Sequence, residues 1–543
     1  MYRIQGNTLS AKTPRSFWLA ASGMMFATAI ALVPSPVSAG DGNDRDRNLG
    51  PGCAPDRPAI AHHFGGVIAT LPPGQAMKAP IPCSTNTGFR SSEIAVVVSN
   101  TGVVVLQPEF PASGFPIGTV RSTDDGAHWN AVLPSNPNNP PRVTPVDNNM
   151  NVDRDTGRIF WIVGQPGESV QIPRLDMSDD SGATWFSATN PGTIRLIDHS
   201  QIFFGPPPKS VKPMMGSYPN VVYLCQGSGP QFCQYSLDGG NSFNAGVALP
   251  IPPEAGTTCS NFGLKGVVAK DGTLYVPSTP CDRPYVGISH DAGSTWQQVL
   301  VADVTTIGFG ELSLGIDKQG NLYSTWVGVN DRLPYLAISR DGGQTWSKPL
   351  MIGAPGVNEA AIPQLVAGKR GHVAVAYYGS KNSPGKPFPP VCAGLPPVTQ
   401  SPLSTSCPAY QNETWNTYIT ESWNALDQTP LFWSAPLNDP KTPTWFGCSP
   451  SAVGVGGEPA TQVSVGCLGT SDSGPPFWGR IDYFSLTMDA HETPWAGLVQ
   501  ECPGGLPTPR VPYCSGGKGQ PQDSLWSIVG RLVPSRGNDN DED

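Results

Sequence analysis

The sequence predicts an all-β fold, a β-propeller of six or seven four-stranded antiparallel blades in a single domain. Three observations lead to it: a recurring turn motif, a second repeated element ahead of most copies, and the composition. The chain has 62 Gly and 60 Pro among 543 residues and only 14% charged residues. Such a composition is typical of many short strands and turns rather than of helices. A radial array also absorbs several hundred residues into one domain.

The recurring motif is S-x-D-x-G-x-x-W/F. It occurs five times, at Ser122–Trp129, Ser178–Trp185, Ser236–Phe243, Ser289–Trp296 and Ser339–Trp346. Repetition at intervals of roughly 50 residues, with short strands between the copies, is the signature of a propeller or a similar radial array.

Each fixed position of the motif has a physical role in a tight turn. A carboxylate such as Asp341 can accept hydrogen bonds from nearby backbone N–H groups. Gly343 can take a positive φ where the chain reverses, and Trp346 supplies an apolar face that packs back over the turn. We therefore expect five motif carboxylates to be structural rather than catalytic: Asp124, Asp180, Asp238, Asp291 and Asp341.

The second repeated element is a strand, a polar turn with glycine, and another strand. Its turn glycines are Gly102, Gly157, Gly272, Gly320 and Gly371. Each blade then reads as strand, turn, strand, loop, strand, motif, strand, which is an antiparallel meander. A sixth blade is expected over 362–436, with Asp427 and Trp433 as remnants of a degraded motif. A seventh set spans 480–533, and segment 59–70 is expected to supply a closing fourth strand.

An antiparallel meander sends alternate connections to opposite ends of the blades. The glycine turns and the motifs share one end, which we call the turn face. The other connections, between strands two and three and from blade to blade, share the loop face. These segments are long and irregular, so we expect function on the loop face. The largest is a Pro-rich insertion at 379–414, in which a Cys392–Cys407 bridge is expected to make a stiff flap.

The chain ends and the cysteines indicate export. Residues 1–39 combine an early positive charge, an apolar run at 17–33 and a small-residue site at 37–39, which predicts a signal peptide. An uncleaved membrane anchor is the alternative. Segment 40–88 and the acidic tail 536–543 are expected to be flexible, which leaves 89–535 for the propeller. All twelve cysteines follow residue 39, so disulfides between sequence neighbours are expected, Cys225–Cys233 first among them.

Other function classes find little support. The net charge is −9, which argues against a nucleic-acid partner. No cofactor or metal motif is present, so none is expected. After removal of the signal no apolar run is long enough to span a membrane.

The motif S-x-D-x-G-x-T/S-W resembles the Asp-box, or BNR repeat, of sialidases and related proteins. The resemblance covers 89–350 strongly and 351–533 more weakly. It implies a propeller of six blades, whereas the repeats counted here give seven. It also implies that a glycan or glycoconjugate binds at the loop face. Asp-boxes occur in other glycosidases and in non-catalytic propellers as well.

The spacing between the turn glycines and the starts of the first strands predicts a candidate site. Counting back nine residues from three turn glycines reaches Glu93, Asn148 and Glu311 at the starts of first strands, with Arg480, Asp482 and Tyr483 equivalent in the seventh set. These polar residues are expected to converge at the mouth of a central funnel, where a ligand would bind. The alternative is that they only cap strand ends.

The resemblance to sialidases implies roles for some of them. In that family three arginines bind the substrate carboxylate, a Tyr–Glu pair supplies the nucleophile, and an Asp is the acid/base. The family opens its first blade with F-R-I-P; this chain has the Arg of that motif, Arg90, without the Ile-Pro. The implied carboxylate-binding residues are Arg90, Arg332 and Arg480, and Tyr483 with Glu311 is the implied nucleophile. Loop 107–118 contains no Asp, only Glu109, which is the acid/base candidate.

Two other interpretations stay open. An ordinary glycosidase would need two carboxylates roughly 5–9.5 Å apart across the funnel, for which Glu93, Glu311, Glu359 and Asp482 are candidates. An exported propeller could instead bind a glycan or a protein without chemistry.

Overall fold

The structure is a computed structural model, and the described residues belong to one compact unit, Asp46–Asp543. It describes residues 49–68, 79–90, 94–108, 118–133, 149–163, 174–188, 200–212, 218–226, 231–252, 263, 265–306, 312–383, 414–446, 484–501 and 525–534. The predicted signal peptide 1–39 and the tail 536–543 lie outside these ranges and stay predictions. Among the described residues, no helix has the length and apolar character required to cross a membrane.

Three strands precede the first blade: β1 (Ile60–His63), β2 (Gly66–Val67) and β3 (Ile81–Arg90). The sequence predicts that segment 40–88 is flexible apart from a strand at 59–70; β1 and β2 lie within 59–70, and β3 is a further strand that the sequence did not predict.

Blades one to five are four-stranded antiparallel sheets with their strands in chain order. Blade one is β4 (Ile94–Val98), β5 (Val104–Pro108), β6 (Thr119–Ser122) and β7 (Asn130–Val132). Blade two is β8 (Asn149–Val152), β9 (Ile159–Val163), β10 (Arg174–Ser178) and β11 (Phe186–Ser187). Blade three is β12 (Gln201–Gly205), β13 (Val221–Cys225), β14 (Phe232–Ser236) and β15 (Val247–Ala248). Blade four is β16 (Val267–Val268), β17 (Leu274–Ser278), β18 (Tyr285–Ser289) and β19 (Gln297–Leu300), with a 3-10 turn at Pro280–Asp282. Blade five is β20 (Ser313–Ile316), β21 (Leu322–Val327), β22 (Pro334–Ser339) and β23 (Leu350–Met351).

The last two blades recruit strands from the N-terminal segment. Blade six is β24 (Glu359–Ala367), β25 (Val373–Ser380), β26 (Thr414–Ser422) and β27 (Phe432–Pro436), and β28 (Trp445–Phe446) also pairs with β26. Blade seven is β29 (Leu486–Met488), β30 (Pro494–Glu501) and β31 (Leu525–Val533), with β3 as its fourth strand.

The seven sheets form a closed ring around an axis. The first strand of each blade contacts the first strand of the next, and β29 of blade seven contacts β4 of blade one. At this junction the backbone N–H of Val96 donates to Ser485 Oγ at 2.6 Å. The count of seven blades from the repeats is confirmed, and the six implied by family resemblance is wrong.

The ring is closed by β3 rather than by segment 59–70. Strand β3 pairs with β31 from Ile81 opposite Val533 to Arg90 opposite Trp526. Segment 59–70 instead contributes the β1–β2 hairpin, which adds to the outer edge of blade six through β27. Ten residues of β3 match the length of β31, whereas β1 and β2 are too short to do so. Both segments have strand-like sequences, so only the pairing register distinguishes them.

The degraded motif of blade six centres on Asn424, not on Asp427. Ser422 Oγ donates to Asn424 Oδ1 at 3.2 Å, and the N–H of Leu431 donates to the same oxygen at 2.9 Å. Asn424 thus occupies the place of the motif Asp, followed by a longer turn. Asp427 accepts a hydrogen bond from Asn424 Nδ2 at 2.9 Å. The prediction of Asp427 was wrong because the motif position normally held by an aspartate is here held by Asn424, whose amide oxygen accepts the same hydrogen bonds.

The core lies between blades. Six clusters of buried apolar side chains fill the junctions between neighbouring sheets. Each motif aromatic belongs to the junction with the preceding blade; Trp185, for example, packs with Val105 of blade one and donates to Thr119 Oγ1 at 3.1 Å. The motif thus joins blades as well as closing turns, a role that its sequence did not reveal.

Two disulfides are placed in full. Cys225–Cys233 joins β13 to β14, which confirms the prediction from the short loop between them. Cys53–Cys83 ties the N-terminal segment to β3, and it also joins sequence neighbours. The predicted Cys392–Cys407 bridge falls outside the described residues.

Candidate functional site

The turn face is built from the five motifs, which share one hydrogen-bond pattern. The motif serine donates to the Asp Oδ1 at 2.7–2.8 Å and accepts from the glycine N–H at 2.8–2.9 Å. The same Oδ1 accepts from the backbone N–H four residues on, at 2.8–2.9 Å. The glycine itself has a positive φ in every copy, 83° at Gly343 for instance.

These contacts hold the motif carboxylates in the ionised form. Burial would raise the pKa of Asp124, Asp180, Asp238 and Asp291, but the turn hydrogen bonds outweigh it and lower the pKa of each. The pKa of Asp341 falls to about 2, chiefly because the hydroxyl and the N–H of Thr345 both donate to it. Carboxylates with such low pKa values are unsuited to proton transfer at neutral pH.

Most of the predicted site residues on the loop face lie outside the described residues: Glu93, Glu109, Asn148, Glu311, Arg480, Asp482 and Tyr483. The counting rule nevertheless located the strand starts well. Strands β4, β8 and β20 begin at Ile94, Asn149 and Ser313, within two residues of Glu93, Asn148 and Glu311. Arg90 is the last residue of β3, and its backbone therefore lies at the loop-face end of blade seven.

Arg332 and Glu359 meet at the junction of blades five and six. Arg332 lies in the connection between β21 and β22, and Glu359 is the first residue of β24. Arg332 Nη1 lies 3.6 Å from Glu359 Oε1, and the two side chains are only 4% and 8% exposed. Ser383 Oγ donates to Glu359 Oε2 at 2.5 Å. The carboxylate thus receives a guanidinium on one oxygen and a hydroxyl on the other.

The backbone around this pair is unusual. Arg332 has φ +60° and Ile362 has φ +53°, a region that β-branched residues rarely occupy. Ile362 lies in a β-bulge where the pairing of β24 with β25 shifts between Ala361 and Gln364. The N–H of Ala360 donates to the carbonyl of Arg332 at 2.7 Å, which links the strained loop to the start of β24. Bulges and left-handed residues cluster at functional sites because they redirect side chains.

Asn382 and Ser383 secure the base of the Pro-rich insertion next to this pair. Strands β25 and β26 end and begin at Ser380 and Thr414, so the connection between them is 381–413 rather than 379–414. Asn382 Oδ1 accepts from the N–H and the Oγ1 of Thr414 at 2.9 and 3.0 Å. Asn358 Nδ2 donates to the carbonyl of Ser383 at 3.0 Å. Both ends of the insertion are thereby held beside Glu359.

The arrangement offers a planar cation and a carboxylate at the loop-face end of blades five and six, with both side chains buried. A guanidinium in this setting matches a carboxylate ligand by charge and by geometry. Sequence reasoning named Arg332 and Glu359 separately but missed Ser383. No sequence signal marks Ser383, since its contact with Glu359 depends on how the end of β25 lies beside the start of β24.

A protein-family model described as "BNR/Asp-box repeat" matches residues 337–348, the stretch containing the fifth motif. Its turn has the geometry described above, and four further copies lie on the same face of a seven-bladed ring. The chain is a seven-bladed β-propeller that carries Asp-box repeats.

Three solved structures illustrate the similarity of this Asp-box propeller to known structures. A Dyadobacter fermentans protein of unknown function is 14% identical, with 83% of this chain and 98% of that chain covered and a TM-score of 0.36. The Hadza microbial sialidase Hz136 is 17% identical, with 54% and 64% covered and a TM-score of 0.36. The phage phi92 endosialidase is 12% identical, with 88% and 76% covered and a TM-score of 0.38. No curated protein sequence matches the Asp-box propeller.

Proposed function

We propose that this Asp-box propeller is an exported, sialidase-like glycoside hydrolase that acts on glycans at its loop face. The observation that carries the proposal is the Arg332–Glu359 pair, buried at the loop-face end of two blades and held by strained backbone. Asp-box propellers include sialidases, and a carboxylate-bearing sugar is the substrate that a buried guanidinium would suit.

The energetic cost of the pair supports a functional reading. Removing two charges from water costs several kcal/mol per ion before their attraction offsets it. The 3.6 Å separation is longer than a good charge-assisted hydrogen bond of about 2.8 Å, so Arg332 and Glu359 are not optimised for each other. Strained backbone adds about 1–3 kcal/mol per residue. A fold selected only for stability would gain by replacing this arrangement with apolar packing.

The proposed roles follow the chemistry of an anionic sugar. Arg90, Arg332 and Arg480 bind the substrate carboxylate, and Glu359 keeps the guanidinium of Arg332 oriented. Glu93, Asn148 and Asp482 contact the sugar from the starts of first strands.

Tyr483 is the proposed nucleophile, with Glu311 accepting its phenolic proton. The Tyr oxygen bonds to the anomeric carbon while the bond to the leaving oxygen breaks, and Glu109 protonates that oxygen. Water then attacks the same carbon, Glu109 takes its proton, and the phenolate leaves and regains the proton from Glu311. An aryl oxygen suits this step because it approaches an anionic anomeric centre with less repulsion than a carboxylate does.

Export is part of the proposal. It rests on the apolar N-terminal run, which is followed by a small-residue site at 37–39, and on the disulfides Cys53–Cys83 and Cys225–Cys233. Disulfides persist in oxidising compartments.

The test is hydrolysis by the purified chain of a fluorogenic α-2-ketoside of sialic acid, next to neutral arabinosides and galactosides. Turnover of the sialoside is expected, with a loss of at least about 100-fold in kcat/KM for Tyr483→Phe and for Arg332→Lys. Arg370→Ala is the matched control, because Arg370 is an exposed arginine in the β24–β25 turn on the opposite face. It should retain full activity.

The outcomes separate the alternatives. Turnover of a neutral glycoside alone would remove the sialidase assignment but keep a glycosidase that uses two carboxylates. Saturable glycan binding without any turnover would mean a binding propeller and would refute the proposed activity. Unchanged turnover in Tyr483→Phe would remove Tyr483 from the mechanism.

A further inference from the structure

A cavity of about 330 Å³ lies on the propeller axis towards the turn face, opposite the proposed glycan site. First strands of blades two to seven all border it, which is why it lies on the axis. Its lining includes the turn-face ends of these strands: Val152, Gly205, Val268, Ile316, Ala367 and Met488.

Two cationic side chains line this cavity, Arg154 from the β8–β9 turn and Lys265 from the segment before β16. Arg154 donates to three neutral acceptors. Its Nη1 donates to the carbonyl of Val98 at 2.7 Å and to Asn100 Oδ1 at 3.2 Å, and its Nη2 donates to the carbonyl of Met488. These bonds fix the guanidinium across blades one, two and seven without neutralising its charge.

Two carboxylates, Asp153 and Asp155, line the same cavity, and a third, Asp489, lies near Arg154; all three accept hydrogen bonds from other donors. Asp153 accepts from Asn220 at 2.9 and 3.1 Å and from the Tyr218 hydroxyl at 2.6 Å. Asp155 accepts from Asn220 at 3.0 Å. Asp489 is close enough to Arg154 to raise its pKa electrostatically. Its carboxylate accepts hydrogen bonds from Trp495 Nε1 at 3.0 Å and from two turn N–H groups.

Lys265, unlike Arg154, has no bonding partner among the described residues. Within the part of the chain that the structure describes, its ammonium makes no hydrogen bond or ion pair. Burial and then the positive charge of Arg154 lower its pKa to about 8, and within the described part of the chain no carboxylate counteracts them. At neutral pH the like charges of Lys265 and Arg154 therefore lie in one small, partly desolvated cavity, beside the committed carboxylates Asp153 and Asp155.

We propose that this axial cavity binds a small oxyanion, a carboxylate or phosphate group, between Lys265 and Arg154. An anion there would supply the acceptors that Lys265 lacks and relieve its repulsion with Arg154. The volume admits a free small ion or the acidic end of a small metabolite but not a polymer. The site is separate from the proposed hydrolase site, because its lining includes neither Arg332 nor Glu359 and lies towards the turn-face ends of the strands.

The test is isothermal titration calorimetry of the full chain with sodium phosphate, sodium sulfate and sodium acetate. The ionic strength is kept constant with sodium chloride. One site per chain is expected for at least one of these ions. Lys265→Gln should weaken binding at least about tenfold, since it removes one of two charges that contact the ion. Lys270→Gln is the matched control, because Lys270 is exposed in the β16–β17 turn on the same face. It should bind as the wild type does.

A pH titration of the wild type provides a second, mutation-free readout. Affinity should fall above about pH 8 by roughly tenfold per pH unit as Lys265 loses its proton, while Arg154 stays charged. Absence of saturable binding by all three ions would overturn the proposal. So would equal affinity of Lys265→Gln and wild type, or an affinity that is constant from pH 7 to pH 10. Glycoside turnover in Lys265→Gln should be unchanged, which keeps this test distinct from that of the hydrolase.

Discussion

Gly182 offers a direct test of how the motifs hold the ring together. It has φ +77°, and a Cβ added there would lie 2.7 Å from Val105 Cγ2 and 3.1 Å from Cγ1. Val105 is fully buried in β5 of the neighbouring blade, and a β-branched side chain has little rotamer freedom to move aside. A Gly182→Ala change therefore combines backbone strain with a clash between blades.

The magnitude follows from those two effects. A non-glycine residue in the left-handed region costs about 1–2 kcal/mol, and overpacking a filled core costs about 1–3 kcal/mol. We expect Gly182→Ala to lower the free energy of unfolding by about 2–5 kcal/mol. Gly102→Ala is the control, because Gly102 has φ +81° on the same face but nothing within 4 Å of the added Cβ. It should lose only the backbone part, partly offset by about 0.4–1 kcal/mol from the restricted unfolded chain.

The assay is urea unfolding of both variants and the wild type, followed by tryptophan fluorescence and extrapolated linearly to water. Equal losses in the two variants would refute the reasoning, because the contact between blades would then contribute nothing. A Val105→Ala change in the Gly182→Ala background should recover part of the loss, since the two residues are in contact and their effects are coupled.

Three further predictions concern other contacts. Asp341→Asn should make the free energy of unfolding less dependent on pH between about pH 2 and 4. The lowered pKa of Asp341 stabilises the fold above about pH 4, and this contribution is lost as the pH falls towards 2. Urea unfolding midpoints measured from about pH 2 to 7 would show the difference. His372→Gln should lower the free energy of unfolding near pH 6 by about 1–3 kcal/mol, because it removes the hydrogen-bond partner of the buried Glu421, whose Oε1 lies 2.7 Å from His372 Nε2 and whose pKa burial raises to about 7. Burial alone would lower the pKa of His372, but its carboxylate partners raise it, so the wild-type advantage should shrink as pH rises through that raised pKa; an advantage that grew with pH would contradict this. Replacing Cys53 and Cys83 by serine should lower the free energy of unfolding by about 3–4 kcal/mol relative to the oxidised wild type, because the unfolded chain gains conformational entropy. An unchanged melting temperature would show that the Cys53–Cys83 disulfide does not stabilise the fold.

The turns and their repetition could be predicted from the sequence because they are local. Asp341, Gly343 and Thr345 form their hydrogen bonds within one stretch of seven residues, so the motif alone determines them. The glycine turns share this property, and Gly102, Gly157, Gly272, Gly320 and Gly371 all have positive φ. Seven blades followed from counting such units.

Tertiary structure alone decided how the ring closes and which charged groups meet. Strand β3 and segment 59–70 are both plausible strands, and pairing with β31 chose the former because it fits along the full length of that strand. The pair Arg332–Glu359 and the cations Arg154 and Lys265 come from different blades. No local pattern links such residues, because their proximity follows from the curvature and closure of the ring.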